Sequence, residues 1–219
     1  MTDYQSLIDN AEQNCLDFWK RGPKRTKWTS LPPQVGDIAP DIRLTNQVGN
    51  AVQLSEYWNK SSALILFWRH FGCGCGMDRA KRLIEEYEEY VEEGATVVII
   101  GQGDHERAAE YALKYNLPPI DILVDPDEIA YESYGLLEGK PSQIVFDAPE
   151  AFQRREYEAF EQLAKERREA GRPLVDNPWL LPGEFVVDQS GVLLLTYRYN
   201  YCEDFPDRRV LIAAIREVR

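Results

Sequence analysis

The chain is expected to adopt an α/β fold, a central mixed β-sheet flanked by helices. Three observations predict it. Two short apolar runs, ALILFW at 63–68 and TVVII at 96–100, have the uninterrupted hydrophobicity of strands buried on both faces. Stretches with apolar side chains at helical spacing lie between and after them. Further on, two apolar segments flank a Gln-Ser-Gly turn, which is a hairpin signal. Strand–helix alternation followed by a hairpin and a last helix calls for both parallel and antiparallel pairings.

The elements are expected in the following order. Residues 2–21 carry Leu7, Ala11, Cys15 and Phe18 on one stripe and form a helix. The basic stretch 22–30 breaks that pattern, so residues 1–30 are an N-terminal helical extension and linker, and 31–219 form the main domain. After the strand 63–68 comes a helix over 79–93, with Ala80, Leu83, Ile84, Tyr87 and Val91 on one face. The strand 96–100 leads to a helix over 104–115, stopped by Pro118 and Pro119. Residues 120–124 and 142–146 are strand candidates; 184–188 and 192–199 form the hairpin; 207–218 is the closing helix. Residues 149–171, rich in Glu and Arg at helical spacing, are a charged helical insertion between two strands. A solvated surface helix is the first reading of this insertion, and a homodimer arm or a lid the second.

Bulk properties narrow the function. Of 219 residues 44% are hydrophobic, enough to build a core. With 25 Lys and Arg against 37 Asp and Glu, the formal net charge is −12, which repels phosphate backbones and makes nucleic acid a poor partner. No run approaches the roughly 20 apolar residues of a membrane span. The polar opening MTDYQSLIDNAEQ lacks the basic start and apolar core of a secretory leader. A cytoplasmic location is therefore expected, where thiols are kept reduced.

Against that background the segment Gly72-Cys73-Gly74-Cys75-Gly76 stands out. A cysteine between a buried strand and a helix sits at the helix N-terminus, where unpaired N–H groups and the helix dipole favour thiolate, the nucleophilic form. Arg69 and Arg79 add positive charge nearby, and Asp78 opposes them. Two cysteines separated by one glycine can close on each other; a ring that small is expected to be strained, and strained disulfides are easily reduced. Zinc binding would call for wider spacing and a second ligand pair, so no metal is expected. Gly101-Gln102-Gly103 follows a strand but has Glu106 at the third glycine position of a dinucleotide loop, and reads as an ordinary turn. His105 reads as solvated and Cys15 as core. His70 has two readings, base partner of Cys73 or packing residue. Cys202 also has two, resolving thiol or buried free cysteine.

Three runs resemble the alkyl hydroperoxide reductase/thiol-specific antioxidant (AhpC/TSA) family, in its peroxiredoxin-like branch. They are VGDIAPDIRLTNQVGNAVQLSEYWNKSSALILFWRHFGCGCG, then VVIIGQGDHERAAEYALKYNLPPIDILVDPDEIAYESYGL, then LLPGEFVVDQSGVLLLTYRY. Together they cover most of 34–148 and 180–219. The resemblance implies a thioredoxin-like fold and thiol redox chemistry at Cys73, matched to the family's reacting cysteine. Typical members carry a proline and a Thr or Ser ahead of that cysteine, where this chain has Leu66 and His70. They carry an arginine before the Gly-x-Phe strand, where it has Pro182. A proline there, cis in thioredoxin-like reductases, makes the site resemble theirs. Arg198 on the closing strand is the candidate to replace the missing arginine. The branch's second cysteine usually falls at the position of Gly76; here it comes one residue early, at Cys75.

These readings converge on a thiol oxidoreductase. Cys73 attacks a disulfide or peroxide, Cys75 resolves the product, and an external thiol, thioredoxin- or glutathione-like, restores the pair. No bound cofactor is required. With two of the typical donors replaced, disulfide exchange is expected to outrun peroxide reduction. The alternative is a redox sensor or binding module whose Cys73–Cys75 disulfide is read by a partner.

Overall fold

A computed structural model describes residues 3–145, 150–172 and 174–217. Its centre is a seven-stranded mixed sheet in the order β2-β1-β5-β4-β3-β6-β7. The strands are β1 (Arg43–Asn46), β2 (Ala51–Gln53), β3 (Ser62–Phe67), β4 (Ala95–Gly101), β5 (Asp121–Val124), β6 (Gly183–Val187) and β7 (Leu193–Arg198). The three inner strands β3, β4 and β5 run parallel, and β6, β7, β1 and β2 are added antiparallel on either side. The alternation of side chains along β3 divides the core. Ala63, Ile65 and Phe67 pack with Tyr57 and Trp58 of α2 (Ser55–Trp58) and with Ala130 and Tyr131 of α5 (Ile129–Ser133). Leu64 and Leu66 face the other way, under α3 (Gly74–Glu92), α4 (His105–Tyr115) and α9 (Arg208–Arg216).

A third cluster lies outside this sandwich. Trp19 of α1 (Tyr4–Arg21) packs against Trp179 at 5.1 Å between ring centroids, against Phe152 of α7 (Glu150–Gln153) at 4.1 Å and against Phe160 of α8 (Tyr157–Glu169) at 5.8 Å. The N-terminal helix and the charged segment thus meet each other over one end of the sheet.

The expected elements at 63–68, 96–100, 104–115, 120–124, the hairpin and the closing helix are present, within a residue or two at their ends. The helix expected from 79 begins already at Gly74, because Cys73 is extended (φ −74°, ψ 135°) and serves as its N-cap. The strand expected over 142–146 is absent: α6 (Pro141–Ile144) is a helical turn. Pro141 supplies a fixed φ suited to the first helical position, and the Lys140 N–H donates to Gln143 Oε1 at 2.9 Å. The expected single helix 149–171 is broken into α7 and α8 at Arg154-Arg155-Glu156, with Arg155 in the left-handed region (φ 60°). It is also more than a solvated face, since Phe152, Phe160 and Ala164 are buried. The parts of these expectations that fall on Thr2, Phe146, Pro149 and Val218 lie outside the described residues. The short strands β1 and β2 carry too brief a pattern to be read from sequence; β1 is set by pairing with β5, and β2 by pairing with β1.

Candidate active site at the Cys73–Cys75 turn

β3 delivers the chain to the site. The Trp68 N–H continues the ladder to the Ile100 carbonyl at 2.8 Å, and Tyr131 Oη donates to the Trp68 carbonyl at 2.6 Å. The chain then turns, with the Cys73 N–H donating to the His70 carbonyl at 3.1 Å, and enters α3. Gly76 is required here. A Cβ at this position would lie 2.9 Å from the Trp68 indole, which donates Nε1–H to the Gly76 carbonyl at 3.2 Å. A cysteine at the family's usual second position would therefore collide with Trp68, and the second cysteine stands at 75 instead.

Cys73 and Cys75 are disulfide-bonded, with their Cα atoms 5.4 Å apart, inside the roughly 4.4–6.8 Å range that such bonds span. Arg69 organises the sulfurs. Its Nη1 donates to Cys73 Sγ at 2.9 Å and lies 3.8 Å from Cys75 Sγ. Nε donates to the Leu180 carbonyl at 2.9 Å and Nη2 to the Pro178 carbonyl, so the buried guanidinium is held from both sides. Gln102 donates to the Arg69 carbonyl and accepts from the Asn177 N–H at 2.9 Å, pinning the 177–180 segment beside the cysteines. That is the work of the Gly101-Gln102-Gly103 turn. An arginine donor beside Cys73 Sγ at the N-terminus of α3 is an arrangement that favours thiolate over thiol.

A cavity of about 360 Å³ opens over the pair, lined by Trp19, Phe152, Leu163, Leu174 and Trp179 on its apolar side and by Arg69, Arg167 and Arg172 on its basic side. Arg167 donates to the Gly72 carbonyl. Burial, then the neighbouring Arg172 and Arg69, pull its pKa down to about 10.

The sequence-derived candidates separate clearly. Arg69, His70, Cys73 and Cys75 line the cavity together. His70 is buried, its Nδ1 has no hydrogen-bond partner, and the hydrogen bond at Cys73 Sγ comes from Arg69. Burial, followed by Arg69, Arg167 and Arg107, drives its pKa well below the ordinary value and keeps it neutral. Pro182 lies beside Cys75 and Cys202 in a small void beneath the pair. Its peptide is trans, unlike the reductase loop it resembles; the Leu181 N–H donating to the Leu137 carbonyl at 2.9 Å and the Tyr199 N–H donating to the Pro182 carbonyl at 3.1 Å fix the backbone around it. Arg198 is not at the site. It lies over the Phe185 ring in the opposite core layer and donates to the carbonyls of Tyr134 at 2.7 Å and Pro33 at 2.6 Å. Arg79 is spent on Glu184 at 2.7 Å and Glu86 at 3.2 Å. Cys15 is core, and burial pushes its thiol well up.

Sequence reasoning missed Arg167 and Arg172, because the insertion's approach to the cysteine turn spans some ninety residues of chain and leaves no local pattern. It also left Cys202 open. That residue belongs to one buried cluster with Cys73 and Cys75. Among the described residues no group of three or more His, Cys, Asp or Glu side chains is placed to hold a metal ion, and no helix is long and apolar enough to cross a membrane.

A mixed sheet whose central strand ends in a paired-cysteine turn at a helix N-terminus defines the thioredoxin-like class of thiol–disulfide proteins. Within it the chain belongs to the AhpC/TSA family, whose model matches residues 35–195. It is 26% identical over 103 residues to the chloroplastic thioredoxin-like protein AAED1 of Arabidopsis thaliana, covering 47% of this chain and 41% of that protein. It is 27% identical over 101 residues to peroxiredoxin Bcp of Bacillus subtilis (strain 168), covering 46% of this chain and 63% of the relative. The chain thus spans less than two thirds of either relative. In structure it is similar to peroxidoxin BcpB from Mycobacterium tuberculosis, with a TM-score of 0.61, 16% identity, and coverage of 85% of this chain and 99% of that one.

Proposed function

We propose that the protein is a thiol oxidoreductase in which Cys73 is the attacking thiolate and Cys75 the resolving thiol. The observation that carries this reading is the Arg69 guanidinium, 2.9 Å from Cys73 Sγ, at the N-terminus of α3. An opposite charge this close stabilises thiolate over thiol. The thiolate attacks a substrate disulfide or the terminal oxygen of a peroxide. The mixed disulfide, or the sulfenic acid, is then displaced by Cys75 to give the Cys73–Cys75 bond. An external thiol of thioredoxin or glutathione type reduces that bond. A reducing compartment, the cytoplasm, suits this cycle. Residues 31–219 are proposed as the catalytic domain, with 1–30 and 149–171 appended to cover the site, and with a homodimer as the state in which the exposed face of α8 is used.

Disulfide exchange is proposed as the faster reaction. Cleaving a peroxide calls for donors aimed at the developing charge on the leaving oxygen. Arg69 supplies one, but two of its nitrogens are committed to the Pro178 and Leu180 carbonyls, and His70 replaces the hydroxyl residue. Exchange with a disulfide asks only for a thiolate, access and a good leaving thiol. Second-order rate constants for hydrogen peroxide and hydroxyethyl disulfide on the reduced protein, followed by turnover with dithiothreitol, test both levels. Turnover that disappears in Cys73→Ser supports the oxidoreductase. Single stoichiometric oxidation without turnover would make the chain a sensor. A peroxide constant far above the disulfide one would make it a peroxidase with substituted donors.

A further inference from the structure

Cys202 lies beyond the segment that the family model matches, in the loop after β7. Yet the fold buries it with the reactive pair. Cys73, Cys75 and Cys202 are 4%, 5% and 6% exposed and form one cluster, with Ile144 and Phe205 packed against it. All three line the cavity over the site. The small void beneath it is lined by Cys75 and Cys202 and not by Cys73. The loop is held in place rather than draped there. The Cys202 N–H donates to the Gln143 carbonyl at 3.1 Å, Gln143 Nε2 donates to the Asn200 carbonyl at 2.7 Å, and Cys202 Sγ–H donates to the Ile144 carbonyl at 2.9 Å.

We infer that Cys202 is a third redox residue, exchanging with the Cys73–Cys75 disulfide by attack on Cys75 Sγ. The inference rests on the oxidoreductase reading above. The step is an exchange with no net oxidation. Cys202 loses its proton to solvent, and its thiolate forms a bond to Cys75 Sγ as the Cys73–Cys75 bond breaks. The electron pair of that bond leaves on Cys73 Sγ, where Arg69 Nη1 already donates. Two features choose Cys75 as the target. It shares the lower void with Cys202. Attack there also expels the sulfur that the guanidinium and the α3 N-terminus stabilise as thiolate, and a better-stabilised leaving thiolate departs faster. The product holds a Cys75–Cys202 disulfide and a free Cys73 thiolate. The oxidising equivalent is stored in the Cys75–Cys202 bond while the nucleophile is restored.

The test uses the full-length chain carrying Cys73→Ser, treated with excess 5,5′-dithiobis(2-nitrobenzoate) and mapped by peptide mass spectrometry without reduction. The exchange route predicts release of about two equivalents of thionitrobenzoate per chain and a Cys75–Cys202 bond within one chain, as expected when a mixed disulfide is resolved internally. In Cys73→Ser/Cys202→Ser the release falls to about one equivalent and Cys75 retains the adduct. A Cys73→Ser chain with native far-ultraviolet circular dichroism but no Cys75–Cys202 bond overturns the inference, whatever other adducts form. The oxidised wild type separates the two levels. If it maps with neither a Cys73–Cys75 nor a Cys75–Cys202 bond, the oxidoreductase reading itself fails; if the Cys73–Cys75 bond is present and the variant's cross-link absent, only the role of Cys202 fails.

Discussion

At the scale of single residues, Arg69 and His70 carry opposite consequences from adjacent positions. Arg69 Nη1 donates to Cys73 Sγ, so if Cys73 is the attacking thiolate as proposed, Arg69→Met is expected to raise the Cys73 thiol pKa by about one to three units, the usual effect of removing an opposite charge at this range. The pH midpoint of iodoacetamide alkylation of the reduced protein measures it, and Arg69→Lys is expected to recover part of the shift. An unchanged midpoint in Arg69→Met would show that the helix terminus alone governs the thiolate. His70 is buried and neutral, its pKa lowered first by burial and then by three arginines. The sign follows from linkage. Below the unfolded value of about 6.5 the unfolded chain takes up a proton that the folded chain refuses, so stability is intact above that pH and falls as pH drops toward the lowered folded value. The slope from this one group reaches at most about 1.4 kcal/mol per pH unit. Urea unfolding of wild type and His70→Gln at pH 7.5 and 5.5 is expected to show the smaller loss in the variant; equal losses would mean that His70 protonates in the folded state.

At the scale of elements, α3 is tied to the sheet by a buried charge network. Arg79 bridges Glu184 on β6 and Glu86 one turn pair along its own helix, and Glu86 also accepts from Tyr90 Oη at 2.8 Å and from Arg82 at 3.2 Å. Burying these charges is costly, and the network tolerates it because each has partners. Removing one partner leaves the rest uncompensated, so Glu184→Leu is expected to destabilise the fold by about 3–5 kcal/mol. Arg79→Met with Glu184→Leu is expected to recover much of that loss, since an apolar pair of similar size avoids the desolvation cost. Denaturant midpoints of the two variants test the pair; a double variant no more stable than the single one would place the value of the network in register, not in compensated charge.

At the scale of the whole molecule, the site is completed by segments distant in sequence. Trp19 joins α1 to α7, α8 and Trp179, and Trp19, Phe152 and Trp179 also line the cavity over the cysteines. Trp19→Ala is expected to cost about 3–5 kcal/mol, a large share of a typical domain's ~5–15 kcal/mol. It is also expected to speed alkylation of Cys15, which is fully buried beside it. Thermal or urea unfolding with thiol mapping measures both. A stability loss without faster Cys15 labelling would show that the cluster collapses around the void.

The sequence alone determined the central strands, the flanking helices and the position of the paired-cysteine turn. Those rest on local facts: an apolar run long enough for one strand, a helical stripe, a pair of cysteines between glycines. It also pointed to Arg69, four residues before Cys73. What it could not determine was anything set by contact between distant segments. The described part of the run expected as a strand over 142–146 has strand-like residues, but Pro141 and the Gln143 cap make 141–144 a helical turn. Arg198 has the right charge on the closing strand, but the pleat turns it into the opposite core layer. Arg167, Arg172 and Cys202 reach the cysteines only because α8 and the loop after β7 fold back over the N-terminus of α3. Secondary structure and the cysteine pair are encoded within a few residues of one another. The neighbours that set charge, access and exchange are chosen by packing, which no local pattern records.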